Sequence, residues 1–455
     1  MAGDSEARVQ RTVEELRTAG VRYVAGSMVD TGSINRLKSV PLEKLPGLAR
    51  SGIGFSCCWG VALSNDHFTT TPAVGGPTGD MRLVADLDSL APMAPAPAWA
   101  WVALDQYDQE GRPIGYCQRS FLKRMIAAAG ERALGLRMAY ELEWFVGHQT
   151  EEDRALPVHR GPGYSANAWA QTHEFALDLL DALAAEGVAV EQFHPEYSFG
   201  QMEVSLGVSD PLRTADRHVL FRHTARTVAA EHEYRCSFSP VTVPGLGNGC
   251  HLHFSLWDVA GRNLFAGGDR AVGLTEEGEA FLAGVLTELG ALVALSCATV
   301  PSYERLRPRR WSGAYGCWGH ENREAALRFI QGMRGARGTS ANVEFKAADC
   351  SGHPYLMPAG VIAAGLAGMD RGLTLPAPVR EDPHSLSEQE RRRRGIVRLP
   401  SSLGEAAAAL EASEVLRTAM GPMLHDTMVA VRRAEAEEDE GRPLDELVAE
   451  QLWRF

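Results

Sequence analysis

The feature that most constrains this chain is a short apolar run interrupted by two acidic residues. It reads Tyr140-Glu141-Leu142-Glu143-Trp144-Phe145 and lies within a stretch, 137–146, whose residue types predict a strand. On a strand, residues i and i+2 point to the same side. The two glutamates should therefore share one face, and two adjacent carboxylates repel each other unless a cation lies between them. A solvent-exposed edge strand would give the same local pattern.

Composition narrows the class of protein. The chain has 455 residues, of which 45% are hydrophobic and 23% charged, as in ordinary globular proteins of one large or two smaller domains. A net charge of -13 argues against general binding to nucleic acid or anionic membranes. The N-terminal residues show no apolar signal segment, and no run of 18 apolar residues occurs, which predicts a cytoplasmic protein without a membrane span. The eight cysteines show no CxxC pairing and are interpreted as reduced thiols.

The order of predicted elements divides the chain into two parts. Strands are predicted over 21–28, 34–40, 81–86 and 99–104, which makes the first part small and rich in β-structure. We place its boundary near residue 110, so that the predicted domains are 1–110 and 111–455. The second part alternates helices and strands.

Three further stretches carry groups of the same chemical kind. Glu196 and Glu203 flank a turn that contains glycine, His251 and His253 alternate on a predicted strand, and Glu344 lies on another short apolar strand. Each has a plain structural explanation when taken alone. Together with the first pair, five carboxylates and a histidine form a mostly oxygen-donor set, which suits Mg²⁺ or Mn²⁺ better than Zn²⁺. Two such ions could neutralise and orient a triphosphate.

The order and spacing of these motifs resemble the glutamine synthetase family, type I. The motifs are Glu-x-Glu, Glu-x6-Glu, Gly-Asn-Gly-Cys-His-Leu-His, Val-Glu-Phe, Ser302-Tyr303-Glu304-Arg305-Leu306 and Asn322-Arg323-Glu324-Ala325-Ala326-Leu327-Arg328. The resemblance covers nearly the whole chain. It implies an α+β fold with a small β-grasp-like N-terminal domain and a large catalytic domain, whose antiparallel sheet is flanked by helices. It also implies a homo-oligomer, a dodecamer of two stacked hexameric rings with active sites between neighbouring subunits.

The resemblance assigns roles to individual residues. It implies that one metal ion is held by Glu143, Glu196 and Glu203, and a second by Glu141, His251 and Glu344. ATP and its phosphates are implied to contact His253, Ser255, Arg323 and Arg328. Arg305 matches an arginine that binds a substrate carboxylate, and Gly247 matches the glycine at the amino-acid end of the acid substrate. Guanidinium groups suit both carboxylate and phosphoryl oxygens.

The implied reaction has two steps. ATP phosphorylates a side-chain carboxylate to an acyl phosphate, and an amine then displaces the phosphate. In this scheme Arg305 and Arg323 stabilise the charge that develops on the transferred group.

Two departures from the family pattern bear on the amine. The ammonia-using enzymes carry a flap glutamate in Gly-Tyr-Glu-Ala-Pro, where this chain has Trp311. They also carry an aspartate that crosses the subunit boundary, where this chain has Ser56. Loss of both carboxylates removes most of the attraction for ammonium, and an indole could instead shield or stack on a larger amine. The sequence therefore predicts a γ-glutamyl-amine ligase that uses an organic amine.

Two further departures bear on the acid substrate. Leu246 replaces an asparagine, and Lys346 replaces an arginine and so loses the bidentate fork. L-glutamate stays the expected acid, with a close analogue as the other possibility. Two alternatives stand beside the predicted function: an ammonia-using glutamine synthetase with a rebuilt flap, and a catalytically silent assembly protein on the same fold.

Overall fold

The structure is a computed structural model that describes residues 2–150, 155–243 and 245–455, without the side chains of 2–5 and 246. Its N-terminal part contains two helices and six strands. In chain order these are α1 (Ala2–Thr18), β1 (Tyr23–Val29), β2 (Asn35–Pro41), α2 (Leu45–Arg50), β3 (Ile53–Ser56), β4 (Asp80–Ala85), β5 (Ala91–Pro92) and β6 (Trp99–Tyr107).

These six strands form one sheet, here called the N-terminal sheet. Its order is β2-β1-β6-β4-β3, with β5 also paired to β6. Strands β1 and β6 run parallel, whereas the other pairs are antiparallel. The four strands predicted in this region are present, each within three residues of the predicted bounds at either end.

The remainder of the chain builds a larger sheet and the helices that cover it. The elements from α3 to α5 are α3 (Gln118–Glu131), β7 (Leu134–His148), β8 (Leu156–Pro157), α4 (Ala166–Ala185), β9 (Val190–Pro195), β10 (Gln201–Leu206) and α5 (Pro211–Glu231). There follow β11 (Tyr234–Ser237), β12 (Val241–Val243), β13 (Leu246–Gly247), β14 (Cys250–Asp258), α6 (Glu276–Ser296), α7 (Ser302–Arg305), β15 (Tyr315–His320), β16 (Ala325–Ile330), α8 (Arg337–Ser340) and β17 (Asn342–Phe345). The last elements are α9 (Leu356–Asp370), α10 (Glu388–Arg393), β18 (Val397–Arg398), α11 (Leu403–Ala412), α12 (Glu414–Met420), α13 (Pro422–Glu438) and α14 (Leu444–Gln451).

Ten of these strands form the sheet that we call the catalytic sheet. Its order is β18-β15-β16-β17-β14-β7-β10-β9, with β8 and β11 also paired to β7. All pairs are antiparallel except β15 with β16. The α+β class predicted from the sequence is confirmed. The predicted antiparallel sheet contains one parallel pair, β15 with β16. The domain boundary near residue 110 falls between β6 and α3 and stays a prediction.

Strand β7 is the centre of the catalytic sheet and extends beyond the predicted stretch at both ends. Its apolar residues Tyr140, Leu142 and Trp144 are fully buried. The Trp144 ring contacts Phe221 of α5 and Phe238, at centroid distances of 5.1 and 6.0 Å. Burial of this face against α5 fixes the register of the strand, because a slip by one residue would turn every apolar side chain outwards. The two glutamates therefore face the opposite side.

Helix α6 is the most apolar long helix of the chain. By length and composition it could cross a membrane, but 78% of its apolar window is buried inside the protein. A methyl group added at Gly284 of α6 would lie 2.2 Å from the carbonyl oxygen of Ala364 in α9. The helices approach backbone to backbone at this point, which is the packing of a core helix.

A buried ionic cluster joins the two sheets. Arg119 at the start of α3 pairs with Asp86 and Asp105 at 2.8 and 2.9 Å, and with Asp216 of α5 at 2.8 Å. Lys123, one turn further along α3, binds the same two N-terminal aspartates. Burial opposes the charge of Asp86, but the two cations outweigh it and hold the pKa of that carboxyl well below its ordinary value.

Candidate active site

Strand register brings the predicted site residues to one face of the catalytic sheet. Glu143 on β7 lies opposite Glu203 on β10, and Glu141 lies opposite His251 on β14. On the far side of β14, Glu344 of β17 pairs with His253. Residues far apart in the sequence thus meet across four neighbouring strands.

One cluster is formed by Glu141, His251 and Glu344. The Nδ1 atom of His251 lies 2.8 Å from Glu141 Oε1 and 3.2 Å from Glu344 Oε1. Burial opposes ionisation of Glu141, but the hydrogen bond from His251 and the nearby imidazole of His253 outweigh it and hold the pKa of Glu141 well below its ordinary value. Burial likewise opposes ionisation of Glu344, and the charges of Lys346 and the histidines lower its pKa to about 2. Both carboxylates are therefore ionised at neutral pH.

His253 reaches the same cluster. Its Nε2 atom is buried without a hydrogen-bond partner among the described residues and lies 3.7 Å from Glu141 Oε2. One ligand atom each of His253, Glu141 and Glu344 lie within 4.8 Å of one another. Its Nδ1 atom faces Asn342 Oδ1 at 3.0 Å. Either histidine can therefore supply a nitrogen at this position.

A second cluster is formed by Glu196 and Glu203, with Glu143 beside them. The Nε2 atom of His194 lies between the first two, 3.2 Å from Glu196 Oε2 and 3.3 Å from Glu203 Oε1. Burial raises the pKa of Glu203 to about 8, and the charges of Glu141, Glu143 and Glu196 act in the same direction. Mutual repulsion of this kind, among oxygen donors, is the signature of a site that a divalent cation would relieve. The residues thus fit a Mg²⁺ or Mn²⁺ ion.

His194 and Tyr164 are two members of this cluster that sequence reasoning missed. His194 lies on β9, two residues before Glu196, so that a period of two could have indicated it. Hydrogen bonds to Glu196 and Glu203 raise the pKa of His194 to about 10. Tyr164 stacks on this imidazole at a centroid distance of 5.0 Å, and it lies in a loop whose sequence gives no comparable signal.

Buried cations lie between and beside the two clusters. Arg305 is 8% exposed, its Nη2 atom lies 3.2 Å from His251 Nε2, and its Nη1 atom is buried without a partner among the described residues. Arg328 Nη1 and Lys346 Nζ both bind Glu344, at 3.1 and 2.8 Å. The Nε atom of Arg328 is also buried and unpartnered within the described chain. These unpaired donors are available to an anionic ligand.

Two glycines let the backbone approach Arg305. A methyl group added at Gly247 would lie 2.9 Å from Arg305 Cγ. A methyl group at Gly249 would lie 2.7 Å from each of Arg305 Nη2, Glu143 Oε1 and His251 Nε2. The amide of Gly249 also donates to Glu143 Oε2 at 2.8 Å. This loop therefore lines the cleft between the two clusters, although the side chain of Leu246 lies outside the described residues.

Ser255 lies further along β14 and is already engaged. Its hydroxyl accepts a hydrogen bond from Trp257 Nε1 at 2.8 Å. The same indole lies under the guanidinium of Arg137, 3.7 Å from the ring centroid. Ser255 thus points to the same side of β14 as His251 and His253 and continues their row away from the Gly249 loop.

The segment 307–313, here called the flap, contacts the turn before β16 and has a strained backbone. Arg309 and Trp311 have positive φ angles of 60° and 53°, which are uncommon for such side chains. The indole of Trp311 is 63% exposed, and the Arg323 guanidinium lies 6.0 Å from its centroid. The amide of Trp311 donates to Glu324 Oε1 at 3.0 Å. Glu324 is a third residue that sequence reasoning missed.

Ser56 is the one predicted site residue that this chain keeps apart from the catalytic sheet. It ends β3 of the N-terminal sheet, where its hydroxyl accepts a hydrogen bond from the amide of Cys58 at 3.4 Å.

Comparison with known proteins finds a family model and related sequences that match most of this chain. Residues 115–446 match the family described as glutamine synthetase, catalytic domain. A γ-glutamylpolyamine synthetase, GlnA3, of Streptomyces coelicolor is 45% identical over 444 residues, covering 97% of this chain and 95% of that protein. A glutamate–methylamine ligase of Methyloversatilis universalis is 31% identical over 427 residues, covering 90% of this chain and 92% of that protein.

Two solved structures have a fold similar to that of this chain. A crystal structure of a novel glutamine synthase homologue has a TM-score of 0.85 and 32% identity, and covers 96% of this chain and 99% of that one. A complex of GmaS with ADP has a TM-score of 0.82 and 29% identity, and covers 95% of this chain and 97% of that one.

Proposed function

Because the chain belongs to the glutamine synthetase family, we infer that it is an ATP-dependent ligase that forms a γ-glutamyl amide from L-glutamate and an organic amine. The observation that carries the choice of an organic amine is the exposed indole of Trp311 on the flap, at the position where the ammonia-using enzymes carry a carboxylate. The names of two relatives include an organic amine, a polyamine in one and methylamine in the other. We propose an aliphatic diamine or polyamine as the class of amine.

Members of this family use ATP and divalent metal ions. We propose that Glu141, His251 and Glu344 hold one ion and that Glu143, Glu196 and Glu203 hold another. Bound there, the ions would neutralise phosphate oxygens and orient the phosphoryl group for transfer. The support from this chain is the meeting of these carboxylates and His251 on one face of the catalytic sheet, together with the pKa of Glu203, which burial raises despite the hydrogen bond from His194.

The acid substrate is proposed to bind at Arg305. Its Nη1 atom is buried without a partner among the described residues, Gly247 and Gly249 leave room beside the rest of the side chain, and a guanidinium in this state binds a carboxylate strongly. Lys346 is engaged with Glu344 at 2.8 Å, so we propose that it sets the position of that glutamate rather than holding the substrate directly.

The nucleotide is proposed to lie along the row of His253 and Ser255, with its phosphates at Arg323 and Arg328. Arg328 offers a buried Nε donor beyond its pairing with Glu344, and the Arg323 guanidinium lies 6.0 Å from the centroid of the Trp311 ring. When the γ-phosphoryl group moves to the glutamate carboxylate, these guanidinium groups stabilise the charge on its oxygens. The closed flap excludes water, which protects the acyl phosphate until the amine attacks.

The decisive experiment measures phosphate release with glutamate, ATP and Mg²⁺ or Mn²⁺ against a panel of amines. The panel contains ammonium, methylamine, an aliphatic diamine and a triamine. We expect kcat/KM for the di- and triamine to exceed that for ammonium. Equal use of ammonium would instead favour the ammonia-using alternative, and no amine-dependent release at all would favour the silent assembly protein.

The metal sites can be tested without turnover. Mn²⁺ binding, followed by the loss of its free-ion electron paramagnetic resonance signal, should show at least two ions per subunit in the wild type. Glu143→Ala and Glu141→Ala should each lose one ion while the protein keeps its circular dichroism spectrum. Unchanged stoichiometry in both variants would contradict the assignment.

We also propose that the enzyme is a cytoplasmic homo-oligomer, a dodecamer of two hexameric rings, in which Ser56 of one subunit completes the amine site of its neighbour. The support is the position of Ser56 in the N-terminal sheet, away from the catalytic sheet of its own chain. Analytical ultracentrifugation should give a species far larger than the 49.3 kDa subunit. An active monomer at assay concentration would refute this.

A further inference from the structure

Glu324 is a buried carboxylate beneath the flap that the two metal clusters do not use. It is 8% exposed. One oxygen, Oε1, accepts the hydrogen bond from the Trp311 amide at 3.0 Å, whereas the other, Oε2, is buried without a partner among the described residues. An unpaired carboxylate oxygen is costly to bury. Such a group in a binding cleft points to a partner that the chain itself does not supply.

Glu324 lies in the turn that leads into β16, the strand that carries Arg328. On β16, Arg328 reaches Glu344, and Ala326 accepts a hydrogen bond from the Lys346 amide at 2.9 Å. Side chains alternate along a strand, so residues 326 and 328 form one row beside 344 and 346. Glu324 precedes this row in a turn, and its contacts give its position: Oε1 accepts from the Trp311 amide of the flap, and the charge of Lys346 acts on the carboxyl.

The cations around Glu324 are engaged elsewhere. Lys346 binds Glu344, Arg309 lies 3.6 Å from Asp382, and Arg323 lies against the Trp311 ring. Burial raises the pKa of Glu324, and Asp382 adds to the shift, while the amides of Trp311 and Arg309 and the charge of Lys346 oppose it. A bound cation would relieve this penalty.

Other buried carboxylates of the cleft have their own partners. Glu141 and Glu344 face His251, and Glu196 and Glu203 share His194. Asp349 Oδ2 is also buried and unpartnered within the described chain, but the charge of Arg305 acts on that carboxyl. Glu324 is the carboxylate that contacts the flap backbone, and it forms no ion pair within 4.0 Å among the described residues.

We propose that Glu324 binds a protonated nitrogen of the amine substrate through Oε2, while Trp311 covers the hydrocarbon chain of that amine. The proposal rests on the proposed function. A carboxylate and an ammonium group form a charge-assisted hydrogen bond, and an indole gives an apolar and cation-attracting wall. Glu324 would in this way be a specificity-determining residue that selects cationic aliphatic amines. Its other oxygen, Oε1, would hold the flap through the Trp311 amide.

The test separates charge from flap position by a matched substitution and two nucleophiles. Glu324→Gln retains an oxygen that can accept from the Trp311 amide but loses the negative charge. The nucleophiles are an aliphatic diamine, which is cationic, and hydroxylamine, which is uncharged at neutral pH. We expect the ratio of kcat/KM for the diamine to that for hydroxylamine to fall about tenfold to a hundredfold, with KM for ATP and glutamate little changed.

Glu381→Gln, a change at an exposed carboxylate nearby, serves as the control and should leave the ratio as in the wild type. An unchanged ratio in Glu324→Gln would overturn the proposal, because the residue would then only hold the flap. Glu324→Asp keeps the charge and should retain most of the preference for the diamine; it also covers the case in which the glutamine variant fails to fold. A wild-type enzyme that uses neither nucleophile would refute the proposed function itself, which is a distinct outcome.

Discussion

The replacement Gly249→Ala offers a sharp test of the site, because one methyl group would meet three of its members. The new carbon would lie 2.7 Å from Arg305 Nη2, Glu143 Oε1 and His251 Nε2. An ordinary contact of this kind is about 3.4 Å or more, so these atoms must move by about 0.7 Å. Gly249 does not have a positive φ angle, so that alanine introduces no backbone strain and the effect stays within the cleft.

The expected loss follows from that displacement. A misplacement of about 1 Å in a catalytic constellation can cost about a hundredfold in rate, and we therefore expect kcat/KM to fall about thirtyfold to a hundredfold. Overpacking costs about 1–3 kcal/mol of folding stability, which shifts the thermal midpoint by only a few degrees in a chain of this size.

The assay is phosphate release with saturating ATP and varied glutamate and diamine, with thermal unfolding measured on the same preparations. Gly135→Ala is the matched control, because a methyl group at that position of β7 meets nothing within 4 Å. Gly249→Ala activity equal to that of the wild type would show that Arg305, Glu143 and His251 do not act together around this glycine. The geometry proposed for the site would then be wrong.

Three further predictions concern substrates and stability. Arg305→Ala should raise KM for glutamate and depress turnover by the equivalent of about 1.5–3 kcal/mol; initial rates over a range of glutamate concentration would contradict this if both constants were unchanged. Trp311→Glu combined with Ser56→Asp should shift kcat/KM from organic amines toward ammonium about tenfold to a hundredfold, measured by competition between the two; a preference equal to that of the wild type would count against both positions. Burial lowers the pKa of His353 to about 3. Below about pH 6.5 the unfolded chain therefore binds a proton at this imidazole that the folded chain does not bind. The free energy of unfolding should fall by about 1.4 kcal/mol for each pH unit from pH 6.5 down to pH 4. His353→Asn should flatten this slope in urea unfolding, and an identical slope would show that this imidazole does not titrate on unfolding.

The strands that carry the candidate metal ligands were accessible from the sequence because they depend on local periodicity. The alternation of Glu141 and Glu143 with apolar residues predicts that the two glutamates share one face of the strand. Burial of Trp144 against α5 then allows only one register for β7. The histidines of β14 follow the same rule. The two metal groupings, in contrast, came from resemblance to a family, since no local pattern says that β17 lies beside β14.

The residues that were missed act through tertiary contacts. Tyr164 reaches His194 from a loop, and stacking between them depends on how that loop folds back over β9. Glu324 lies within one of the family motifs, but the resemblance assigned roles only to the two arginines there, and its contact with the Trp311 amide appears only in the fold. Ser56 shows a further limit, because the role proposed for it needs a second copy of the chain.

The ionic cluster of Arg119 has a consequence for dissecting the enzyme. Asp86 and Asp105 belong to the N-terminal sheet, whereas their cationic partners belong to α3, beyond the predicted boundary near residue 110. Truncation at that boundary would leave Asp86 and Asp105 without their cations and Arg119 with Asp216 as its remaining partner in the cluster, and breaking a buried pair costs about 3–5 kcal/mol. Neither fragment should therefore be stable when expressed separately. Chimaeras that exchange the first sheet between relatives must carry α3 with it, so that the aspartates and their arginine travel on the same piece of chain.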